Sequence, residues 1–490
     1  MPVIVVVEHS EDWPLNLPGV EVVEAGSYLT DPGFSARRGL KVFNLCRSYR
    51  YQSAGYYVSL LAMARGHKPL PSVATIQDLK SPAIVRVLSA ELEELIQKSL
   101  APLASREFTL SIYFGQNLAK RYQRLALQLF NLFPAPLLRA ELARHKGRWQ
   151  LHKVRPISAR HIPEEHREFV LQAAAEYFGR RSGSSTPRTA APRFDLAILA
   201  RTDDPQPPST ERTLQRFVRA AEALRIRAEV ITRDDYGRLA EFDGLFIRET
   251  TQVHHHTYRF ARRAAAEGLV VIDDPDSIVR CTNKVFLAEL LQRHGLPAPR
   301  TWILHRDNLK AMTTELTFPV VLKMPDSSFS QGVVRVADAE ELLQNGRKFL
   351  ASSDLVVAQE FLPTAFDWRV GVLDGQVLFV CRYHMARGHW QIVQRDRPGQ
   401  NRYGNVETVA AEDAPPALLD LTLRATKLIG DGLYGVDVKE KDGQFFVIEI
   451  NDNPNIDAGY EDVVLGNGLY ERIMKVFLTR MERAREGRSV

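Results

Sequence analysis

The strongest constraint in the chain is a pair of apolar, alternating runs near its C-terminus, YGVDVKEKDGQFFVIEINDNP, which meet at Asp442-Gly443. An Asp-Gly pair between two such runs reads as a tight hairpin turn. Side chains two apart on a strand share a face. Glu449 and Asn451 are therefore expected to point one way and Ile448 and Ile450 the other, with Asp437 on the facing strand between Val436 and Val438. Two carboxylates and an amide oxygen converging across a hairpin form a hard-oxygen site suited to Mg2+, which also coordinates nucleotide phosphates. Burying that much acid without a cation is costly. The plainer alternative is an ordinary exposed polar face.

The 490 residues, 45% of them hydrophobic, are enough for about three domains of roughly 100–200 residues each. Residues 1–178 open with the β-branched run Val3–Val7 and continue through helical stretches at Pro82–Leu100 and Gln116–Leu132, which indicates a mixed α/β domain. Residues 179–193, around GRRSGSSTPRTAAP, have too little apolar surface to pack and read as a linker. In 194–280, strands at Phe194–Ala200, Ala228–Thr232, Gly244–Arg248 and Val270–Asp273 alternate with helices at Ser209–Leu224 and Tyr258–Glu267, the pattern of a small parallel sheet. The chain then turns through Asp274-Pro275 into a helix at Asn283–His294, and strands dominate the rest of 281–490.

Two further segments carry chemistry. In FPVVLKMPDSSFSQGV an apolar strand ends in Lys323 and enters a loop containing Ser327, Ser328, Ser330 and Gly332. Its hydroxyls and backbone N–H groups could close over phosphates, although such a lysine and hairpin turn also occur on plain surfaces. In VVAQEFLPTAFDWRVGV, a strand delivers Gln359, Glu360, Phe361 and Leu362. Its backbone could meet an adenine edge, with Glu360 on a ribose hydroxyl and the apolar pair as walls. Asp367 and Arg369 follow at same-face spacing, as a surface ion pair would.

The order Lys284, Lys323, Ser/Gly loop, Gln359-Glu360-Phe361-Leu362, Asp367-x-Arg369, Arg382, Asp437, Glu449-x-Asn451 resembles the ATP-grasp superfamily, in its branch of RimK-like carboxylate–amine ligases. The resemblance runs from about Phe194 to the C-terminus. It implies an ATP-grasp fold, a small parallel α/β subdomain followed by two α+β subdomains that clasp ATP, preceded here by a mixed α/β accessory domain. It also implies ATP with Mg2+ or Mn2+. Lys284, Lys323, Ser328, Gly332, Gln359, Glu360, Phe361, Leu362 and Asp367 would then surround the nucleotide, Asp437, Glu449 and Asn451 would hold the metal, and Arg369 and Arg382 would face the acyl-phosphate or carboxylate. The loop DSSFSQG has one glycine where the family is glycine-rich, which suggests a stiffer lid. Arg402 and Asn405, in RPGQNRYGN, stand where relatives have a basic, amide-bearing stretch.

The segment FNLCRSYRYQSAGYYVSLLAMARGH resembles the accessory domain ahead of some RimK-like modules. Its arginines and tyrosines could bind an anionic substrate or pack as an interdomain face. Adjacent residues of a regular element cannot all face one ion, so the run His254–His256 favours a substrate or structural role, together with Arg248 and Thr251, over zinc. Arg248 and His255 are therefore read as substrate-side positions.

The resemblance implies amide formation between a small carboxylate or peptide and an amine. Addition of amino acids to a protein tail, such as that of a ribosomal protein, is the alternative within enzymes. A nucleotide sensor without turnover is the rival from another class. A net charge of +5 from 64 basic and 59 acidic residues gives no reason to expect nucleic acid. Three separated cysteines, without a CxxC or Cys/His ligand spacing, argue against both a disulfide framework and a structural zinc site. No apolar run approaches the ~20 residues that span a bilayer, and the start lacks a secretion signal, so a cytoplasmic protein without a membrane partner is expected. A homo-oligomer is left open.

Overall fold

The computed structural model describes residues 3–13, 20–37, 39–179, 192–201, 203–204, 206–326, 332–386, 390–397 and 400–487, without the side chains of 82, 83, 87, 91, 179, 393–397, 400–403 and 487. The chain forms two compact units, one of Met1–Asp195, Ile231–Asp243 and Met481–Val490, the other of Leu196–Val230 and Gly244–Arg480. Most of the expected linker, 179–193, falls outside the described residues.

In the first unit, β1 (Val3–Val7), β2 (Glu21–Glu24), β3 (Lys41–Asn44) and β4 (Lys68–Leu70) form a parallel sheet in the order β2-β1-β3-β4. A second sheet is an antiparallel meander of β5 (Glu107–Tyr113), β6 (Leu137–His145) and β7 (Arg148–Pro156). The helical stretch expected from Gln116 begins later. Asn117 turns its amide back onto Ser111 O (2.7 Å), and the α-helix covers Gln123–Leu132. The Lys41 ammonium, fully enclosed, is paired with Glu241 at 3.4 Å and with Asp195 at 3.9 Å.

The second unit holds the expected functional half. β8 (Phe194–Ala200), β9 (Ile226–Ile231), β10 (Gly244–Arg248) and β11 (Val270–Ile272) lie in the order β11-β10-β8-β9, with β8, β10 and β11 parallel. Where the sequence suggested only a turn after Asp274, Pro275–Thr282 is a helix of its own. The Asp274 carboxylate caps the N–H groups of Asp276 and Ser277, and proline occupies the first turn, where its missing N–H has no consequence. A second helix, Lys284–Arg293, starts at once behind an Asn283 cap.

β12 (Thr301–Leu304), β13 (Val320–Lys323), β14 (Val333–Val336) and β15 (Val356–Glu360) make an antiparallel sheet in the order β12-β15-β13-β14. The last large sheet runs β20-β17-β16-β21-β22, built from β16 (Phe366–Leu373), β17 (Gln376–His384), β20 (Val406–Val409), β21 (Leu433–Lys441) and β22 (Gln444–Asp452). Between β17 and β20 lies the pair β18 (Val393–Arg397) and β19 (Gln400–Tyr403). One face of the large sheet, including Trp368, Val370, Val436 and Ile450, packs on the helix Pro416–Lys427 through Leu418, Leu421 and Ala425. The unit thus mixes parallel and antiparallel sheets, as an α/β and α+β chain should. The helix Asn467–Gly487, which the sequence reading did not anticipate, sets Tyr470 and Phe477 against Phe217 and Phe246.

Two β-bulges shape the large sheet. One lies at Gly371/Val372 between β16 and β17, the other at Asp437/Val438 between β21 and β22. Each inserts one residue into a ladder of period two, so every side chain beyond it changes face.

Candidate functional site

The β21–β22 register sets Asp437 directly opposite Glu449, and Gly435 opposite Asn451. Arg369, on β16 beside Asp437, donates from Nε and Nη2 to the two Asp437 oxygens at 2.7 Å each. This bidentate pair fixes the carboxylate in its plane. Burial raises the Asp437 pKa above the ordinary value, although Arg369 opposes the shift. Burial would lower Arg369, but Asp437 more than offsets it. Asn451 Nδ2 donates to Asp437 Oδ2 at 3.3 Å.

Glu449 takes the opposite direction. Burial alone would raise it, but Lys284 and Lys323 together bring it below the ordinary value and keep it ionised. Lys284 Nζ lies 2.9 Å from Glu449 Oε1. Lys323 Nζ donates to Gln359 Oε1 at 2.7 Å, and Gln359 Nε2 donates to Thr301 Oγ1 at 3.1 Å. Burial, with the cations of Lys284 and Lys439 close by, depresses Lys323 to about 8. Two lysines held together in this way gain from an anion placed between them.

Two cavities flank this set. The first, of about 600 Å³, is lined by Lys284, Leu296, Trp302, Lys323, Gln359 and Ile448, among others. Apolar walls with a few convergent polar groups, at that volume, suit a nucleotide-sized ligand. The second, of about 1100 Å³, is lined on its near side by Arg369, Asp437, Glu449 and Asn451 and includes Thr251, Tyr383, Asn405 and Glu461. The Lys284–Glu449 pair spans the boundary, the lysine in one lining and the carboxylate in the other.

Several expected residues sit elsewhere. Ile448 does not join the core face. It is the extra residue of the second bulge, with Asp437 opposing Glu449 and Val438 opposing Val447, and it lines the smaller cavity. Arg382 is not brought to the Arg369 face. The bulge at Gly371/Val372 pairs it with Trp368, so its guanidinium lies 4.7 Å from the Trp368 ring and 3.5 Å from Glu407. Tyr383 takes the near position instead, its ring 5.0 Å from the Arg369 guanidinium and its hydroxyl donating to Glu461. Asp367 is held by Lys439 at 2.6 Å and by Thr364 at 2.8 Å. Lys439, two residues from Asp437, could have been found from that spacing, whereas Tyr383 and Glu461 offered no motif.

Arg248 is not open to a substrate. It is 1% exposed and donates to Ser209 Oγ, Asn453 Oδ1 and the carbonyls of Pro208 and Pro454, at 2.6–3.0 Å. It is a structural clasp between β10 and the turn after β22. His255 lies with His256 and Glu249 rather than in either cavity lining. Glu360 is held at a strand end by the Arg300 N–H at 3.4 Å. Phe361 stacks under Arg335 at 4.7 Å, and Leu362 is buried. Gly332 adopts φ 66°, which favours glycine, and its carbonyl accepts from Met324 N. Ser327, Ser328 and Ser330 lie outside the described residues, as does the side chain of Arg402.

Two family models match the chain, a RimK-like ATP-grasp N-terminal domain over residues 25–173 and a RimK-like ATP-grasp domain over residues 281–465. The chain is similar to the alpha-aminoadipate–LysW ligase LysX of Saccharolobus solfataricus, 28% identical over 201 residues, covering 38% of this chain and 67% of the relative. It is also similar to the coenzyme gamma-F420-2:alpha-L-glutamate ligase of Methanococcus maripaludis, 25% identical over 207 residues, covering 40% and 68%. Among solved structures, the D-alanine–D-alanine ligase of Bacillus anthracis aligns with a TM-score of 0.45 and 15% identity, over 60% of this chain and 99% of that one. Among the described residues, no helix is long and apolar enough to cross a membrane.

Proposed function

We propose, from the premise that this chain belongs to the RimK-like ATP-grasp ligases, that it joins a carboxylate to an amine with cleavage of ATP to ADP and phosphate. The observation that carries this reading is the Lys284–Glu449 pair at 2.9 Å, set between a nucleotide-sized cavity and a larger one. Lys284, Lys323 and Gln359 hold the phosphate end of ATP in the smaller cavity, and Trp302 and Leu296 cover its apolar part. Asp437, Glu449 and the Asn451 amide oxygen are hard donors that fit Mg2+, or Mn2+ in its place. When bound, the ion supplies charge neutralisation at the transferring phosphoryl group.

A substrate carboxylate in the larger cavity attacks the γ-phosphorus, and ADP leaves. The amine nitrogen then attacks the carbonyl carbon of the acyl-phosphate, phosphate leaves, and one proton is lost from nitrogen. Arg369 orients Asp437 throughout. Asp452 lines the same cavity, and burial raises its carboxyl above the ordinary range. The relatives' names point to amino-acid substrates, so an amino acid, or a small carboxylate or peptide, is the class we assign. A cytoplasmic setting, where ATP is supplied, fits.

The test is ADP release by the purified chain with Mg·ATP and a panel of amino acids and small carboxylates, followed by mass measurement of the product. Substrate-dependent ADP release with a product lighter by one water than its two components supports the reading. ADP release without condensation, or turnover retained by Glu449→Ala, contradicts it.

A further inference from the structure

The loop after β10 carries a second set of metal-binding side chains that the ligation chemistry does not use. Glu249 follows Arg248 directly and is 3% exposed. His255 is the N-cap of the helix His256–Ala266, and His256 is its first residue. At that junction the strict geometry of a regular element does not apply, and adjacent histidines can face one point. One carboxylate oxygen of Glu249 and one nitrogen from each imidazole lie within 4.8 Å of one another. His255 and His256 thus converge with Glu249 while His254 lies outside the set, so the three adjacent histidines do not all face one point.

The second observation concerns partners. Glu249 Oε1 and His256 Nε2 approach to 2.9 Å, yet neither makes a hydrogen bond among the described residues, and both atoms are buried. Two buried polar atoms that face each other without a hydrogen bond are the kind that a bound ion completes. The His255 and His256 rings lie 3.9 Å apart with their planes inclined at 47°. The Thr257 hydroxyl, 3.3 Å from His255 Nδ1, steadies that ring from behind. Phe260 walls the other side of His256. Arg201, the nearby cation, is occupied by Asp203 at 2.7 Å.

We propose that Glu249, His255 and His256 form a site for a divalent transition-metal ion of the zinc class, separate from the Mg2+ position at Asp437 and Glu449. Two imidazoles and one carboxylate match the ligand number and type of a four-coordinate ion whose last position is taken by water. Imidazole donors disfavour Mg2+. The ion would pin the turn bearing Thr250 and Thr251, both in the lining of the larger cavity. It would also brace the Glu249 carbonyl, which accepts from Asn453 Nδ2 at 2.7 Å.

The experiment uses the full chain, stripped with a chelator and dialysed, without nucleotide. Zn2+ is titrated calorimetrically and Co2+ by its visible absorption, each against Glu249→Gln and His256→Asn, with His255→Asn as a third variant should either of these lose the wild-type far-ultraviolet spectrum. The expected result is one saturable equivalent in the wild type, with affinity falling in the variants by more than the roughly 10–100-fold that changes outside the ligand shell cost. Mg·ATP binding by Glu249→Gln should stay at the wild-type level. No saturable uptake by the wild type, equal uptake by the variants, or Mg2+ competing as tightly as Zn2+ would overturn the assignment.

Discussion

Lys323 gives the sharpest pH-dependent prediction. Burial depresses its pKa to about 8, and only the ammonium can pair with a phosphate. Above that pH, each further unit leaves about a tenfold smaller charged fraction, equivalent to about 1.4 kcal/mol. Between pH 7 and pH 9 the affinity for Mg·ATP should therefore fall about tenfold, until the higher pKa of the phosphate-bound lysine is reached. The measurement is equilibrium binding of Mg·ATP across that range, with Lys323→Arg as control. Arginine stays charged throughout, so the variant should show a nearly flat profile whatever its absolute affinity, and any titration of ATP itself cancels in the comparison. A flat wild-type profile, or one that falls equally in Lys323→Arg, would show that the lysine charge does not hold the nucleotide.

Other expectations follow from the same geometry. Arg248→Met should destabilise the chain by about 3–5 kcal/mol in urea melts, because it strands the acceptors of Asn453, Pro208 and Pro454. If the residual fold still binds nucleotide, Arg248 is structural; loss of substrate affinity without loss of stability would contradict that. Gly371→Ala should cost about 1–3 kcal/mol, since its Cβ would fall 2.3 Å from Phe379, and a melt at the wild-type midpoint would refute the tight bulge.

How much of this was legible in the sequence depended on periodicity. The alternation on either side of Asp442-Gly443 is enough to mark the two strands and to put Glu449 and Asn451 on one face, but a regular hairpin would set Asp437 against Ile448, and only the bulge sets it against Glu449. The run of apolar residues before Lys323 is enough to end a strand there. What alternation cannot reveal is an inserted residue. The bulge at Asp437/Val438 carries Ile448 away from the core face. The bulge at Gly371/Val372 turns Arg382 onto Trp368 and brings Tyr383 beside Arg369. Both depend on close cross-strand contacts, such as Gly371 against Phe379, that no local pattern encodes. Arg248 misled for a related reason. An arginine at the end of a buried strand resembles a ligand residue until the chain from Asn453 to Pro454 returns to accept its hydrogen bonds. The convergence of His255 with Glu249 depended on where a helix begins, a boundary that sequence reading places only within a few residues.

The central claim is that Asp437, Glu449 and Asn451 hold a divalent ion against the phosphates of a nucleotide gripped by Lys284 and Lys323. Calorimetric titration of a non-hydrolysable ATP analogue into the wild type and Glu449→Gln, with Mg2+ and with excess chelator, tests it most directly. The account predicts tight binding only for the wild type with Mg2+, weakened by the variant and by the chelator to a similar extent. Binding that ignores both the metal and the substitution would contradict it.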